Sequence, residues 1–479
     1  MPGQVSPSIG GKTIRDNPGR YEIVSTCRWS RVIRLPESAH REQTARVIDE
    51  RPQRRWWQRL WDSRLDLSPL RTRDFRLLFI AATAGYLGSM VGYVAIPFQL
   101  FQLTGSNLAV GVIGGVELVP LIVFGLWGGA LADRFDRRTI MVLTGVINAV
   151  LAAALLANAL LDRPQIWLIY VIAGLLSMSS SLQRPSQDAL VPRTVGHDQL
   201  TAAVAAWALA WQLGSLVGPA IGGVLIARYG VAIGYALWVA GALVTVALLA
   251  RLGPYPPTER TTGSALRSIG VGLRYAVGRR DLMGTYIVDL VGMLMAMPTV
   301  LFPAFGLRVF GHPELVGLLY ASEGLGSALA TITSGWMSRI HHHGRAITLA
   351  AICWGAAIGL AGLAPWYWLA FGLLVVAGGF DQISGTFRGV LWNQTIPDEL
   401  RGRLAGIEML SYSIGPLGGQ LRAGVVADLV GVRAAIASGG ALCILGVSVT
   451  TAAIRGFWTY DNRTDPHAVR ERERRAAAS

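Results

Sequence analysis

The sequence predicts an all-α membrane protein in which about twelve transmembrane helices form two pseudo-symmetric six-helix bundles. Of the 479 residues, 52% are hydrophobic and only 15% are charged, a balance too apolar for a typical soluble domain. The apolar residues are concentrated in about twelve runs of roughly 20 residues, the length that a helix needs to cross a bilayer. A polar segment separates the first six runs from the last six.

The first six runs carry few charges in their interiors, and each is followed by a charged or Gly- and Pro-containing connection. They are Leu77–Phe101, Leu108–Ala132, Thr139–Leu161, Gln165–Ser181, Thr201–Ala227 and Val231–Leu252. The last six runs have the same character. They are Met283–Gly306, Leu315–Met337, Ala346–Leu363, Trp366–Ser384, Leu404–Ala427 and Ala434–Ile454.

The remaining segments divide the chain. Residues 1–70 are polar and rich in Arg, Pro and Ser, which predicts a disordered cytoplasmic arm or, near its end, an amphipathic lead-in to the first run. Residues 71–252 and 281–457 would be the two bundles. Residues 253–280 predict a cytoplasmic loop between them, with an amphipathic surface helix from 265 to 275. Residues 458–479 predict a charged cytoplasmic tail.

The arginines predict the orientation. The connections on one side of the predicted membrane contain only about four basic residues, and the connections on the other side contain nearly all the rest, which marks that other side and both termini as cytoplasmic. The net charge of +14 therefore indicates topology and attraction to anionic lipid headgroups, and no nucleic-acid partner is predicted. The cytoplasmic set includes Arg134, Arg137, Arg138, Arg184, Arg193, Arg251, Arg339, Arg345, Arg388, Arg401 and Arg403; the sparse set is Arg163, Arg228, Arg308 and Arg433.

The two halves show weak internal repetition. Val110-Gly111 in the second run aligns with Val316-Gly317 in the eighth, and Glu117 then aligns with Glu323. Repeats of this kind are typical of transporters built from two parallel halves.

A short charged loop follows the second run. It contains Gly129, Asp133, Arg134, Arg137 and Arg138 in the order Gly-x-x-x-Asp-Arg-x-x-Arg-Arg. This pattern resembles the signature loop of the major facilitator superfamily, except that Asp136 stands where the family usually has Gly. The resemblance implies a twelve-helix transporter that works by alternating access, with Asp133, Arg134 and Arg184 in a charge network that latches the halves in the outward-facing state. The alternative is a basic loop that sets topology and has no gating role.

A glycine-rich motif lies in the fifth run. It consists of Gly214, Gly218, Pro219, Gly222 and Gly223, and small residues at this spacing let helix backbones approach closely. The motif resembles the glycine-proline motif of drug and proton antiporters within the superfamily, which implies export rather than uptake. The alternative is ordinary helix packing.

The acidic residues inside apolar runs include Glu117, Glu323, Asp289 and Asp381. A carboxyl group in hydrocarbon must face a cavity, find a partner or stay protonated. Reversible protonation at such a position is what a proton-coupled site requires, so all four are candidates for proton coupling or substrate binding. The alternative is a protonated carboxyl that hydrogen-bonds a neighbouring helix.

Four phrases resemble a subgroup of twelve-span bacterial exporters that includes the enterobactin exporter: Phe75–Phe79, Leu103–Ser106, Leu131–Arg138 and Pro397–Arg403. The resemblance implies a monomeric, proton-coupled exporter in the bacterial inner membrane whose partners are the lipid bilayer, protons and a siderophore or an amphipathic drug such as a macrolide. No phosphate-binding loop, nucleophile–base pair or zinc-ligand set stands out, so no enzyme, cofactor or metal site is predicted. An importer, or a sensor or scaffold that kept the fold, remains the alternative.

Overall fold

The computed structural model describes residues 66–132, 135–256 and 265–478. The first bundle consists of α1 (Arg73–Thr104), α2 (Asn107–Ala132), α3 (Arg137–Ala159), α4 (Ile166–Leu190), α5 (Leu200–Tyr229) and α6 (Val231–Leu249). A short helix, α7 (Ala265–Val277), lies in the connection that joins the two bundles along the chain. It covers residues 265–275, where the sequence predicted an amphipathic helix. The second bundle consists of α8 (Arg280–Ala296), α9 (Val316–Ile332), α10 (His343–Leu363), α11 (Tyr367–Thr395), α12 (Asp398–Val430) and α13 (Val432–Ala453), and α14 (Pro466–Ala478) follows.

Most of these helices are suited to a bilayer. Within the described residues, eleven helical segments are long and apolar enough to cross a membrane. The first segment of the second bundle continues beyond α8 through short helical turns as far as Val309. Although α12 is not among the eleven, it is 33 residues long and packs between α2 and α8.

The two bundles repeat one packing pattern. In the first bundle, α1 packs on α5 and α6, α2 on α4, and α3 on α4 and α6. In the second, α8 packs on α12 and α13, α9 on α11, and α10 on α11 and α13. These are the same pairs when α1–α6 are replaced by α8–α13. The predicted fold class of two pseudo-symmetric six-helix bundles is therefore confirmed.

The bundles meet where α2 packs on α12 and α5 packs on α9. Each crossing has a pair of glycines, because only glycine allows the backbones to come this close. A methyl group on Gly111 would lie 2.8 Å from the Gln420 carbonyl oxygen and 3.0 Å from the Gly424 Cα. At the other crossing, a methyl group on Gly317 would overlap the carbonyl oxygen of Pro219 and lie 2.6 Å from the Cα of Gly223.

The two crossings lie toward one end of the bundles. We call the side on which α1 begins and α13 ends the terminal side, and the opposite side the far side. Gly111 and Gly317 follow closely on the starts of α2 and α9, and Gly223 and Gly424 precede the ends of α5 and α12. These helix ends all lie on the far side, so the closest backbone contacts between the bundles lie toward that side.

The connection that leaves the first bundle is fastened to its terminal side. The Asp136 carboxylate accepts the backbone N–H of Thr139 at 2.9 Å, which caps α3, and the backbone N–H of Tyr255 at 2.6 Å. The Tyr255 hydroxyl donates to Asp74 Oδ2 at 2.7 Å, and Arg193 lies 5.7 Å from the centre of its ring. The Asp136 carboxylate thus caps the start of α3 and joins it to the connection.

The C-terminal segment folds back onto the second bundle. The Phe457 side chain is fully buried, and the Asn462 backbone N–H donates to the His341 carbonyl oxygen at 3.1 Å. The α14 helix packs on α11, where Arg475 Nη2 donates to the Asn393 carbonyl oxygen at 2.7 Å. The charged tail is therefore a helix that is docked at the terminal side.

Candidate functional site

An ion pair between Arg388 and Asp289 lies buried inside the second bundle. Arg388 of α11 and Asp289 of α8 are each 7% exposed, and the guanidinium binds the Asp289 carboxylate. Arg388 Nη2 also lies 4.0 Å from Oδ1 of Asp381, which precedes it by two turns on the same face of α11. One cation therefore lies between carboxylates from two helices.

The prediction for Arg388 is wrong. Its charge ended the apolar run at Ser384 and placed Arg388 on a cytoplasmic loop, but α11 continues to Thr395. One of the two carboxylates beside Arg388, that of Asp289, comes from α8, which is far away in the sequence. The spacing from Asp381 was the one local signal, because residues seven apart share a helix face.

A small cavity adjoins the ion pair. It has a volume of about 20 Å³ and is lined by Asp289, Asp381, Ser384, Met293 and Trp354, among others. A cavity of this size has room for one water molecule, and the side chains of Asp289, Asp381 and Ser384 are its polar lining. Within the described residues, Oδ2 of Asp289 has no hydrogen-bond partner, so this carboxylate keeps an acceptor available for a water or a proton.

Glu117 and Glu323 lie near the middle of α2 and α9, in different bundles. Tyr93 of α1 is within electrostatic range of both glutamates, and its ring packs edge-on against Tyr320 at a centroid distance of 5.4 Å. Glu323 lies deep among other protein atoms. Its side chain is nevertheless not covered by them and is exposed. Neither glutamate has an ion-pair partner within the described residues. The two acids therefore share Tyr93 as a neighbour, although they belong to different bundles.

The acidic residues form a connected set. Glu323 interacts electrostatically with Asp381, and Asp381 interacts with Arg388 and Asp289. We call Glu117, Glu323, Asp381, Arg388 and Asp289 the acidic network. Within the second bundle, Arg388 also interacts electrostatically with Glu408 of α12. Glu117 of the first bundle is related to this set only through Tyr93, which is within electrostatic range of both Glu117 and Glu323. Tyr93 and Arg388 are two residues that sequence reasoning did not select for the site.

A cluster of aromatic residues lies in the first bundle, where α1 packs on α5. Tyr86 packs edge-on against Trp207 and Trp211, with ring centroids 6.1 Å and 5.2 Å away. On α4, Arg184 lies 5.4 Å from the ring centre of Tyr412 of α12. Arg184, predicted to join the gating network, thus contacts the opposite bundle through an aromatic ring.

The glycine-rich motif packs α5 against α1 and α9. Methyl groups on Gly214, Gly218 and Gly222 would come within 2.6–2.9 Å of side-chain carbons of α1. The fourth glycine, Gly223, faces α9 instead, and Pro219 is buried in an uninterrupted helix. The motif therefore allows α5 to pack closely against both α1 and α9. Helix packing was the alternative interpretation of this motif.

The signature loop is described in part. Gly129 lies in α2, whereas Asp133 and Arg134 lie outside the described residues. The Arg137 backbone N–H donates to the Tyr255 carbonyl oxygen at 3.3 Å, and Arg138 Nη2 donates to the Ala250 carbonyl oxygen at 2.5 Å. The described part of the loop is therefore fastened to the connection that leaves its own bundle.

Asp428 joins the bundles at the far side. Its Oδ1 accepts the backbone N–H of Asn107 at 2.8 Å and the side-chain amide of Asn107 at 3.0 Å. Its Oδ2 accepts the Ser106 hydroxyl at 2.6 Å and the Leu108 backbone N–H at 3.2 Å. The first N–H groups of a helix lack partners in the helix and carry partial positive charge. A carboxylate from α12 thus caps α2 of the other bundle.

Comparison with known proteins adds the family context. Residues 65–467 match the family described as transmembrane secretion effector. The enterobactin exporter EntS of Escherichia coli is 31% identical over 392 residues, which cover 80% of this chain and 92% of the exporter.

Solved transporters share the fold. A bacterial homologue of the human lysosomal transporter Spinster, in an inward-facing and unoccupied conformation, superposes with a TM-score of 0.62 at 14% identity, over 82% of this chain and 96% of that one. The nucleoside transporter NupG gives a TM-score of 0.62 at 12% identity, over 81% and 99% of the two chains. At these identities the likeness shows the fold alone.

Proposed function

The chain belongs to the transmembrane secretion effector family of the major facilitator superfamily, and we propose that it is a proton-coupled exporter of a small amphipathic molecule. The family confirms the resemblance seen in the signature loop and makes the protein a multi-pass membrane transporter. Proton coupling, the direction of transport and the substrate are our proposals.

The acidic network is the observation that supports proton coupling. Arg388 binds Asp289 and lies within 4.0 Å of Asp381, so the three side chains carry one positive charge against two carboxylates. A proton on Asp289 would weaken its hold on Arg388 and leave Arg388 to Asp381. Because buried ion pairs depend strongly on both partners, one proton would change how α8 and α11 are held together.

The bundle contacts support alternating access. The far side is held by the two glycine crossings and by the Asp428 cap, so substrate would enter the pathway from the terminal side. Release at the far side requires these contacts to break, after which a latch at the terminal side would hold the bundles. The signature loop is the candidate for that latch by family resemblance, through Asp133, Arg134 and Arg184.

Two substrate classes fit the pathway. The relatives that are named enterobactin exporters favour a siderophore. Tyr93, which lies within electrostatic range of both glutamates, and the aromatic cluster of Tyr86, Trp207 and Trp211 favour a ring-bearing amphipathic drug such as a macrolide. We place the protein as a monomer in the bacterial inner membrane, with both termini and the terminal side in the cytoplasm.

Transport into sealed vesicles tests the proposal. We would reconstitute the full chain in liposomes, select the molecules whose terminal side faces outward, and impose a pH gradient that is acidic inside. Iron-free enterobactin and erythromycin are the two probes. We expect one of them to accumulate inside and the internal pH, followed with a trapped dye, to rise faster than in empty liposomes.

Glutamine variants test the coupling residues. We expect Glu117→Gln and Glu323→Gln to abolish gradient-driven accumulation while leaving membrane insertion intact, and Glu473→Gln, an exposed change in α14, to leave it unaltered. Accumulation that survives an ionophore that collapses the gradient would show that protons do not drive transport. Accumulation only under the opposite gradient would favour the importer.

A further inference from the structure

A groove opens at the terminal side between the start of α8 and the end of α13. It has a volume of about 270 Å³, and its lining includes Arg280, Met283, Ile287, Ile454 and Arg455. It lies outside the acidic network and away from the junction of the bundles. Its two ends differ in chemistry, with arginines at the helix termini and apolar side chains along the helices.

The two arginines of the groove are free of carboxylates within the described residues. Arg280 and Arg455 are both exposed and take part in none of the described ion pairs. The nearest acid in sequence, Asp281, binds Arg279 instead. The groove therefore presents two guanidinium groups with no acid among its lining residues.

The apolar wall continues from the charged end into the membrane-spanning part. Arg280, Met283 and Ile287 follow the spacing i, i+3, i+7 and so share one face of α8. On α13, Ala453 and Ile454 precede Arg455. Because Arg280 begins one membrane span and Arg455 follows another, the guanidinium groups lie at the level of lipid headgroups and the apolar wall lies at the level of acyl chains.

We propose that this groove is a binding site for an anionic phospholipid, such as phosphatidylglycerol. The phosphate would accept hydrogen bonds from Arg280 and Arg455, which can bind phosphate oxygens with two donors each. The first carbons of one acyl chain would lie against Met283, Ile287 and Ile454. Basic pockets between transmembrane helices at the cytoplasmic face bind anionic headgroups in this way, and a zwitterionic lipid lacks the net charge that would favour it here.

Native mass spectrometry of the full chain in detergent tests the site. The probes are dioleoyl phosphatidylglycerol and dioleoyl phosphatidylcholine, each titrated separately. We expect phosphatidylglycerol to bind at least about tenfold more tightly, given the contribution of each arginine near a membrane surface. We expect the double variant R280Q/R455Q to lose that preference.

Three controls separate the groove from general charge effects and from misfolding. The variant Arg251→Gln removes an exposed arginine from the terminal side of the first bundle and should keep the preference. The variant Ala453→Trp fills the groove without changing charge and should weaken phosphatidylglycerol binding. Each variant must melt as the wild type does in phosphatidylcholine, and soluble glycerol 3-phosphate should compete only weakly if the acyl chain contributes.

The outcomes that overturn the proposal are distinct. Equal binding of the two lipids by the wild type, or an unchanged preference in R280Q/R455Q, would remove the site. An equal loss in Arg251→Gln would show that overall charge, and not the groove, selects the lipid. Full competition by glycerol 3-phosphate would reduce the site to one for a free phosphate ester.

Discussion

Asp428, near the end of α12, accepts the backbone N–H of Asn107 at the start of α2 at 2.8 Å and so ties the two bundles together at the far side. Among the residues that the structure describes, no matching bond is seen at the other crossing. The two crossings are otherwise alike: Gly317 packs against Gly223 as Gly111 packs against Gly424. Asp428 lies four residues beyond Gly424, and the residue four beyond Gly223 is Ala227, which has no carboxylate. The fold's pseudo-symmetry therefore does not require this carboxylate, which makes it a specific contact of the closed far side.

We predict that Asp428→Asn shifts the protein toward a far-side-open conformation. The change keeps the shape but removes the charge, and a hydrogen bond to a charged group contributes roughly 1.5–3 kcal/mol. Loss of that amount would change the ratio of the two conformations about tenfold or more.

Distances between spin labels check this prediction. Labels at Trp167 and Trp366, both exposed near the far side, report its opening once the native cysteines are replaced. We expect the distance between the labels to be longer in Asp428→Asn than in the wild type. It should be unchanged in Asp162→Asn, which removes an exposed far-side carboxylate. An unchanged distance distribution in Asp428→Asn would show that the cap does not control opening.

We predict that Gly317→Ala destabilises the protein by roughly 1–3 kcal/mol, the usual range for overpacking. The new methyl group would overlap the Pro219 carbonyl oxygen, and backbone cannot move aside as a flexible side chain can. The matched control is Gly389→Ala in α11, where a methyl group would meet nothing within 4 Å. Thermal melting in detergent should separate them. Equal melting temperatures would mean that the crossing has more room than its geometry indicates.

Local patterns were enough to predict the helices and the close packing of the fifth span. Apolar length gave the membrane spans because a bilayer imposes that length on every helix. The small residues of the fifth run predicted close packing because Gly214, Gly218 and Gly222 share a helix face. In both cases the cause lies within one stretch of chain.

Contacts between distant helices could not be predicted in the same way. From the sequence, Arg388 was predicted to lie in a loop, and only the structure shows that Asp289 of α8 binds it. In the same way, Asp428 is an acid near a helix end in the sequence, and only the structure shows that it caps α2. The partners of these charges are more than 90 residues away in the sequence. Helix packing, which a single sequence specifies only weakly, decides whether such a residue faces lipid, water or an opposite charge.

We predict that Tyr255→Phe lowers stability by about 1 kcal/mol near pH 8, as expected for one lost hydrogen bond. Burial, together with the hydrogen bond to Asp74, raises the pKa of Tyr255 to about 12. The unfolded value is about 10, so the contribution is fully present below pH 10 and is lost as the pH rises through 12.

Melting curves of wild type and variant between pH 8 and pH 12 check this sign. The difference between the two proteins should shrink above pH 10. The control is Tyr229→Phe, whose ring is 67% exposed at the far side. A difference that grows with pH would mean that the phenolate, rather than the hydroxyl, is favoured in the fold.

We predict that Asp289 and Arg388 act as one unit in a double-mutant cycle. Arg388→Gln leaves Asp289 and Asp381 without their cation and should destabilise the protein by roughly 3–5 kcal/mol, the usual loss when one partner of a buried pair is removed. Asp289→Asn should be milder, because Arg388 keeps Asp381 within reach. The double variant D289N/R388Q should be more stable than Arg388→Gln alone, with a coupling energy of about 0.5–3 kcal/mol.

The same cycle separates structure from coupling when transport is measured alongside melting. All three variants should lose gradient-driven accumulation, including the double variant in which stability returns. The reason is that coupling requires Asp289 to alternate between binding a proton and binding Arg388, and each variant lacks at least one of these two side chains. The matched pair is Arg279 and Asp281, also an ion pair of the second bundle but outside the acidic network; R279Q/D281N should change melting and keep coupling. Strictly additive stabilities, or coupled transport by D289N/R388Q, would show that this ion pair only holds α8 to α11.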